Sequence, residues 1–299
     1  QEARHPEPIL PLHLFKDRVF LVSNLIVFTF GVGVFGAFQY LGIFVQTALG
    51  ASATASGVVT TPQSVGVLLA SVIGGQVIAR VGKYKWQTVI GAGIIALSMV
   101  FLRLVDVDTP IWHISVIMVV LGIGFGLVLP TMSLVIQNAV PYEYLGVASS
   151  SSQFFRQIGS VLGIAVFGAV LANVYHSEFA DRFDAADRAA VGQTISVELD
   201  DPTITLNEGV YASIQKSVRA LEGGDQILTR AEDAQSESVA VAVRMIFTLA
   251  LGAALLCLLF ALLIKELPLR RTVQTPQPPG RAKGDPDPPL LEPDRVVSH

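Results

Sequence analysis

Charge is what this chain has least of. Only 15% of its 299 residues are Asp, Glu, Lys or Arg, against 52% hydrophobic, where a soluble domain carries about a quarter charged. The scarcity is uneven: stretches of more than twenty residues hold no charge at all, while residues 176–238 and the last thirty-five are rich in it. That segregation excludes an ordinary soluble domain and points to a membrane. The net charge of −4 is too small to suggest a nucleic-acid partner. Cysteine is all but missing; Cys257 stands alone, so no disulfide framework can form. The five histidines are scattered without metal-ligand spacing, no GxSxG elbow occurs, and Ser149 to Ser152 have no histidine nearby in sequence. No catalytic set, metal or cofactor is expected. The chain opens on Gln1 rather than methionine, as a fragment or processed product would. Its first apolar run exceeds the roughly 7–15 residues of a signal-peptide core.

What is present is a series of apolar runs. A hydrocarbon layer about 30 Å thick needs roughly 20 helical residues to cross it. Six segments qualify: 19–45, 57–79, 88–105, 111–136, 147–174 and 239–264. Each must be helical, because a spanning segment has no water to satisfy its backbone. The expected fold is therefore an all-α integral membrane bundle of six transmembrane helices. It is framed by a lead-in at 1–18, five spans within 19–175, a long acidic connection at 176–238, the sixth span at 239–264 and a Pro-rich tail at 265–299.

Short connections set the direction. Lys16 and Arg18 precede the first span, Arg80, Lys83 and Lys85 separate the second and third, and Lys265, Arg270 and Arg271 follow the sixth. The intervening connections are uncharged at 46–56 and acidic at Asp106 and Asp108. Basic loops stay inside, so both ends and the Arg80–Lys85 loop are expected in the cytoplasm. The connection 176–238, with thirteen acidic residues against five basic ones, is expected outside, as a solvated cap or as a ligand-gating element. Within it, Phe179 to Phe183 and the series Val210, Ile214, Val218, Leu221 are amphipathic, with breaks at Asp200-Asp201-Pro202 and Gly223-Gly224. The tail beyond Thr272 has the composition of a disordered segment, either simply solvated or a polyproline docking peptide.

Gly31-Val32-Gly33-Val34-Phe35-Gly36 fits the GxGxxG dinucleotide fingerprint, but it lies inside an apolar helix rather than after a strand. Small residues there, as at Gly122, Gly124, Gly126, Gly159 and Gly163, let helices approach closely. The ionisable residues inside the spans are Arg103, His113, Arg156 and Arg244, each read as lying toward an end, and no carboxylate joins them. A proton relay is usually an intramembrane Asp or Glu, so none is visible here. On the first span Asn24, Phe28, Gly31, Phe35 and Gln39 share one helical face, continued outward by Gln46. The fourth span adds Phe125, Met132 and Gln137. Such a stripe either lines a cavity for an amphipathic ligand or packs helices together. Pro62 and Pro130 mark helix irregularities or gating points, tolerated only against protein or a cavity.

Several ordered strings carry a resemblance. Tyr40-Leu41 through Gln46, Gly50, Ser52, Ser56-Gly57, Pro62, Gly66, Ser71, Gly74-Gly75, Arg80 and Gly82-Lys83-Tyr84-Lys85 form the first. Gly122-x-Gly124-x-Gly126, Leu129-Pro130, Gln137 to Pro141, Gly146 to Ser149 and Phe154 to Gly159 form the second, and Glu266 to Arg270 closes the set. In this order they resemble the EmrB/QacA family, fourteen-span multidrug:proton antiporters of the major facilitator superfamily. The resemblance implies the C-terminal half of such a fold, the last six spans arranged as 3+3 inverted repeats. It implies as partners an N-terminal half, amphipathic substrates, protons and the lipid bilayer of a bacterial plasma membrane. Gly75, Arg80, Gly82 and Lys83 resemble the superfamily's cytoplasmic loop motif, with tight packing at both glycines, although Ala79 stands where an acidic residue is common. The resemblance also implies that the first and fourth spans face the cavity and that the proton-coupling carboxylates lie in the other half. A dedicated exporter of one natural product, lipid or amino acid stays open, as does a non-transporting membrane scaffold.

Overall fold

The computed structural model describes residues 12–267; residues 1–11 and 268–299, which include most of the expected lead-in and tail, lie outside it. Asp17 starts the first helix, its carboxylate accepting hydrogen bonds from the backbone N–H groups of Val19 and Phe20 at 2.8 and 3.0 Å, a cap that satisfies orphan donors at a helix start. From there α1 (Arg18–Phe30) passes through a π-helical turn (Gly31–Phe35) into α2 (Gly36–Ile43) and a second π turn (Phe44–Ala48). Together they form one continuous first span, Arg18–Ala48.

Five further long helices follow: α3 (Ala53–Val81), α4 (Lys85–Arg103), α5 (Ile111–Ala139), α6 (Leu145–Arg182) and α10 (Gly224–Leu263). All six spans are long and apolar enough to cross a membrane, and the chain is a multi-pass membrane protein. Ser52 caps α3, and Gly82, at φ 73°, ends it in the left-handed conformation that glycine adopts without strain. The first span is the most enclosed, whereas α3 and α6 are covered along little of their length.

Two helices overrun the membrane. At 1.5 Å per residue, the 38 residues of α6 and the 40 of α10 extend about 57 and 60 Å, roughly twice the hydrocarbon thickness. The expected boundaries at 175 and 239 therefore fall inside continuous helices. Phe179 lies in the last turn of α6 and Phe183 is its C-cap residue, so they form no separate amphipathic segment. Between the overrunning ends lie α7 (Ala185–Val191), α8 (Gln193–Leu199) and α9 (Glu208–Arg219), and this acidic connection joins the buried core of the bundle. Val191, Leu199, Ile214, Val218, Ile227 and Leu228 are buried. Tyr175, Phe179 and Phe183 stack in sequence along α6, and the Arg188 guanidinium covers the last two rings while donating to both their carbonyls.

Inside the bundle, close approach replaces bulk hydrophobicity, since lipid tails are as apolar as leucine. Gly159 and Gly163 of α6 rest against the Phe28 and Val32 carbonyls, Gly36 meets Gly163, and Gly33 abuts Ala250 and Ala253 of α10. On α5, Gly122 lies against Gln63 and Gly126 against Val67, both of α3. Polar side chains bridge the same interfaces. Tyr40 donates to the Ile164 carbonyl, and Gln87 donates to Thr131 Oγ1 at 2.8 Å. Pro130 has no N–H for the Gly126 carbonyl, and Ser71 of α3 donates to that carbonyl at 3.3 Å, so a neighbouring helix restores the bond that proline removes.

The two ends of the bundle are tied differently. At one end the Tyr84 hydroxyl donates to the Lys265 carbonyl at 2.8 Å and accepts from the Leu267 N–H at 2.7 Å, and His13 packs edge-on against Tyr144. At the other, Asp106 pairs with Arg244 at 2.9 Å. There Thr47 bonds Thr205, and Ser236 donates to the Ala48 carbonyl, each at 2.7 Å, seating the folded acidic segment on the end of the first span.

Candidate functional site

The aromatic stripe becomes a three-helix contact. Phe35, at the close of the first π turn, lies 5.6 Å from Phe30 and 5.7 Å from Phe125, and Phe30 and Phe125 meet at 4.8 Å. Phe125 is only 5% exposed, whereas Phe35 is half-buried and open on one side. Over that ring sits the Arg156 guanidinium of α6, 5.3 Å from the centroid.

Arg156 lies deeper than its place near the start of the fifth apolar run suggests. Its carbonyl rests against Gly31, close to the middle of the span Arg18–Ala48. A charge at that depth costs about 2.5–3.5 kcal/mol on insertion scales. Stacking on an aromatic face returns about 0.5–1 kcal/mol, or about 2 when dry, which leaves most of the cost to water or an anion. The spans of this chain supply none: no Asp or Glu occurs at 18–105, 109–142, 144–177 or 238–265. Gln153, Arg156, Gln157 and Ser160 lie on adjoining helical positions, the two glutamines exposed and Ser160 half-buried. Phe154, Ile158 and Val161 project from the other side, also exposed. The spacing of these polar residues on α6 is the sequence signal for a wall position.

The remaining candidates scatter. Asn24 is 2% exposed, donates to the Phe20 carbonyl at 2.9 Å and leaves Oδ1 unpaired. Phe28 is half-buried with its carbonyl against Gly159, Gln39 is exposed, and Met132 is fully enclosed. Gln137 is exposed at the α5–α6 end and donates to Ser149 at 3.1 Å. Gln46 lies at the opposite end of the bundle, lining a cavity of about 600 Å³ with Ser52, Thr203, Thr205, Asn207 and Glu208. Within the first span, the two π turns each add a residue to a turn, so Gln39 and Gln46 rotate out of the face that a uniform 3.6-residue period assigns them. Pro62 is half-buried within α3, and Pro130 is exposed within α5.

The loop motif also differs from its expected packing. A Cβ at Gly75 would meet nothing within 4 Å, and neither would one at Gly82, whose requirement is its positive φ. Gly74 is the crowded glycine, against Gln87 and Leu127. Arg80 and Lys83 are exposed.

Residues 1–164, which include the first four spans and Arg156, match the family model for the Major Facilitator Superfamily. The chain belongs to that superfamily. Among similar proteins is the multidrug transporter protein MdtP of Bacillus subtilis (strain 168), 41% identical over 170 residues that cover 57% of this chain and 31% of the relative. The tetracycline resistance determinant of Streptomyces rimosus is 32% identical over 236 residues, 72% of this chain and 67% of the relative. Multidrug resistance protein 3 of Bacillus subtilis (strain 168) is 27% identical over 238 residues, 80% of this chain and 44% of the relative. The chain thus spans under a third of the first relative and about two thirds of the second. Within this major facilitator chain, an aromatic cluster, a charge and exposed amides converge at the junction of the first span with α5 and α6 among the described residues.

Proposed function

We propose that this chain forms one wall of a proton-coupled exporter of amphipathic small molecules, in a bacterial plasma membrane. A companion N-terminal half supplies the opposite wall and the proton-coupling carboxylates, as in the fourteen-span antiporters it resembles. Substrate meets the aromatic and amide surface around Phe35, with Gln39 and Gln137 toward its two ends. The companion rests on the sparsely covered α3 and α6, and transport proceeds by rocking of one half against the other. Both ends of the chain and the Arg80–Lys83 loop face the cytoplasm.

The observation that carries this reading is the half-open Phe35 ring beneath Arg156 at mid-depth, because a charge and an aromatic face together at the bilayer centre suit an amphipathic ligand and no structural need. The names of the relatives, multidrug and tetracycline resistance, agree with it.

The test is efflux from everted vesicles carrying this chain together with the segment encoded upstream of Gln1, using a panel of fluorescent amphiphiles and an imposed pH gradient. Export of several classes that collapses with the gradient is the expected result. Response to a single class would replace this reading with a dedicated exporter. No export in the presence of the upstream segment would overturn it.

A further inference from the structure

Arg156 has no partner of opposite charge in the spans. The ion pairs among the described residues lie in the acidic outer segment or at the Asp106–Arg244 end, and no Asp or Glu lies near its depth. Arg156 is only half-buried, its guanidinium 5.3 Å over the Phe35 ring, with the exposed Gln153 and Gln157 on neighbouring positions of the same helix. Arginine presents its donors in a planar fork that matches a carboxylate with two parallel hydrogen bonds. The ring beneath it, continuous with Phe125 and Phe30, offers an apolar platform one side chain away.

We propose that Arg156 and Phe35 together recognise substrates that carry a carboxylate on an aromatic or apolar body: the carboxylate pairs with the guanidinium and the body lies along the Phe35–Phe125 surface. This rests on the exporter reading above and narrows it. Among amphipathic compounds, the mid-depth cation selects acids over bases. Gln153 and Gln157 serve as secondary donors to the same group.

The experiment is equilibrium binding of 1-pyrenebutyrate and of its uncharged amide to the full 299-residue chain in phosphatidylcholine nanodiscs, corrected for empty discs. The wild-type chain is expected to prefer the acid by about tenfold, the scale of one charge-assisted hydrogen bond. R156Q should bring the acid-to-amide ratio close to one, and R156K, which keeps the charge but not the fork, should retain part of it. Far-ultraviolet circular dichroism and the amide affinity itself show whether R156Q is folded. The inference is overturned if the wild-type chain shows no preference, or if R156Q leaves the ratio unaltered. It is also overturned if added phosphatidylglycerol abolishes the preference, since the cation then serves a lipid phosphate. A binding preference without export of either probe would defeat the exporter reading and leave this one standing. Export of both probes with no Arg156-dependent ratio would do the reverse.

Discussion

Single side chains in this protein work by satisfying backbone groups that lipid cannot. Tyr84 is fully buried, and its one hydroxyl closes two hydrogen bonds to the segment after the sixth span. Tyr84→Phe should lower the free energy of unfolding by about 1–2 kcal/mol, read as an earlier midpoint in detergent-solubilised thermal unfolding. Burial, followed by the charges of Glu266 and Asp17, holds this phenol above its ordinary value near 10, despite the opposing bond from Leu267. A raised folded pKa means that the folded state keeps its proton when the unfolded chain has lost it. The contribution of Tyr84 is therefore complete below pH 10 and declines as pH climbs through the folded value. Between pH 6 and 9, roughly, the Tyr84 wild-type-to-Phe difference should stay constant. Gly163 is a matching case in packing: any Cβ would collide with the Val32 carbonyl, so Gly163→Leu should separate α6 from the first span and cost about 1–3 kcal/mol. Close approach at Gly163 was legible in the sequence as a small residue within a span, whereas Tyr84 stood in a recognised string and only its contacts show why a tyrosine is needed there.

At the scale of elements, hydropathy located all six spans, because crossing lipid imposes length and apolarity on contiguous residues. It could not count turns. The π turn at Gly31–Phe35 lies where Gly31, Gly33 and Gly36 pack against α6 and α10, a second follows at Phe44–Ala48, and together they rotate Gln39 and Gln46 away from Asn24. Inserting one alanine after Val32 should turn the following residues by about 100°, unseating Gly36 from Gly163 and Tyr40 from Ile164. A drop in thermal midpoint with unchanged helical content would be the outcome; unchanged stability would mean the π turn has no packing role. The acidic connection reads from its charge as a solvated cap or a gating element, and the amphipathic series through Ile214 and Val218 is the part of it that foretells its place in the buried core. Arg188 joins that core through two carbonyls and two rings. Arg188→Ala should speed amide hydrogen exchange across 185–219 while the spans stay protected.

At the scale of the molecule, the proposed direction rests on loop charge, and the structure adds that the two ends are separately clamped by Tyr84 and by the Asp106–Arg244 pair. The sole cysteine, Cys257, is buried, so labelling starts from a quiet background. Val197→Cys, on an exposed turn of α8, should react with a membrane-impermeant maleimide in intact cells, and Lys83→Cys only after permeabilisation. The opposite pattern would invert the orientation.

Composition and order of residues alone determined that this is a six-helix membrane protein of the major facilitator superfamily, since lipid constrains every spanning segment locally and family strings are local too. They also determined that its spans carry no carboxylate. Tertiary structure decided which side chains share a site. Depth and facing depend on how helices stack and where a turn is overwound, and neither has a local signature. That is why Arg156, read from its chain position as lying toward a span's end, sits at mid-depth on Phe35 and becomes the residue on which the proposed substrate selectivity turns.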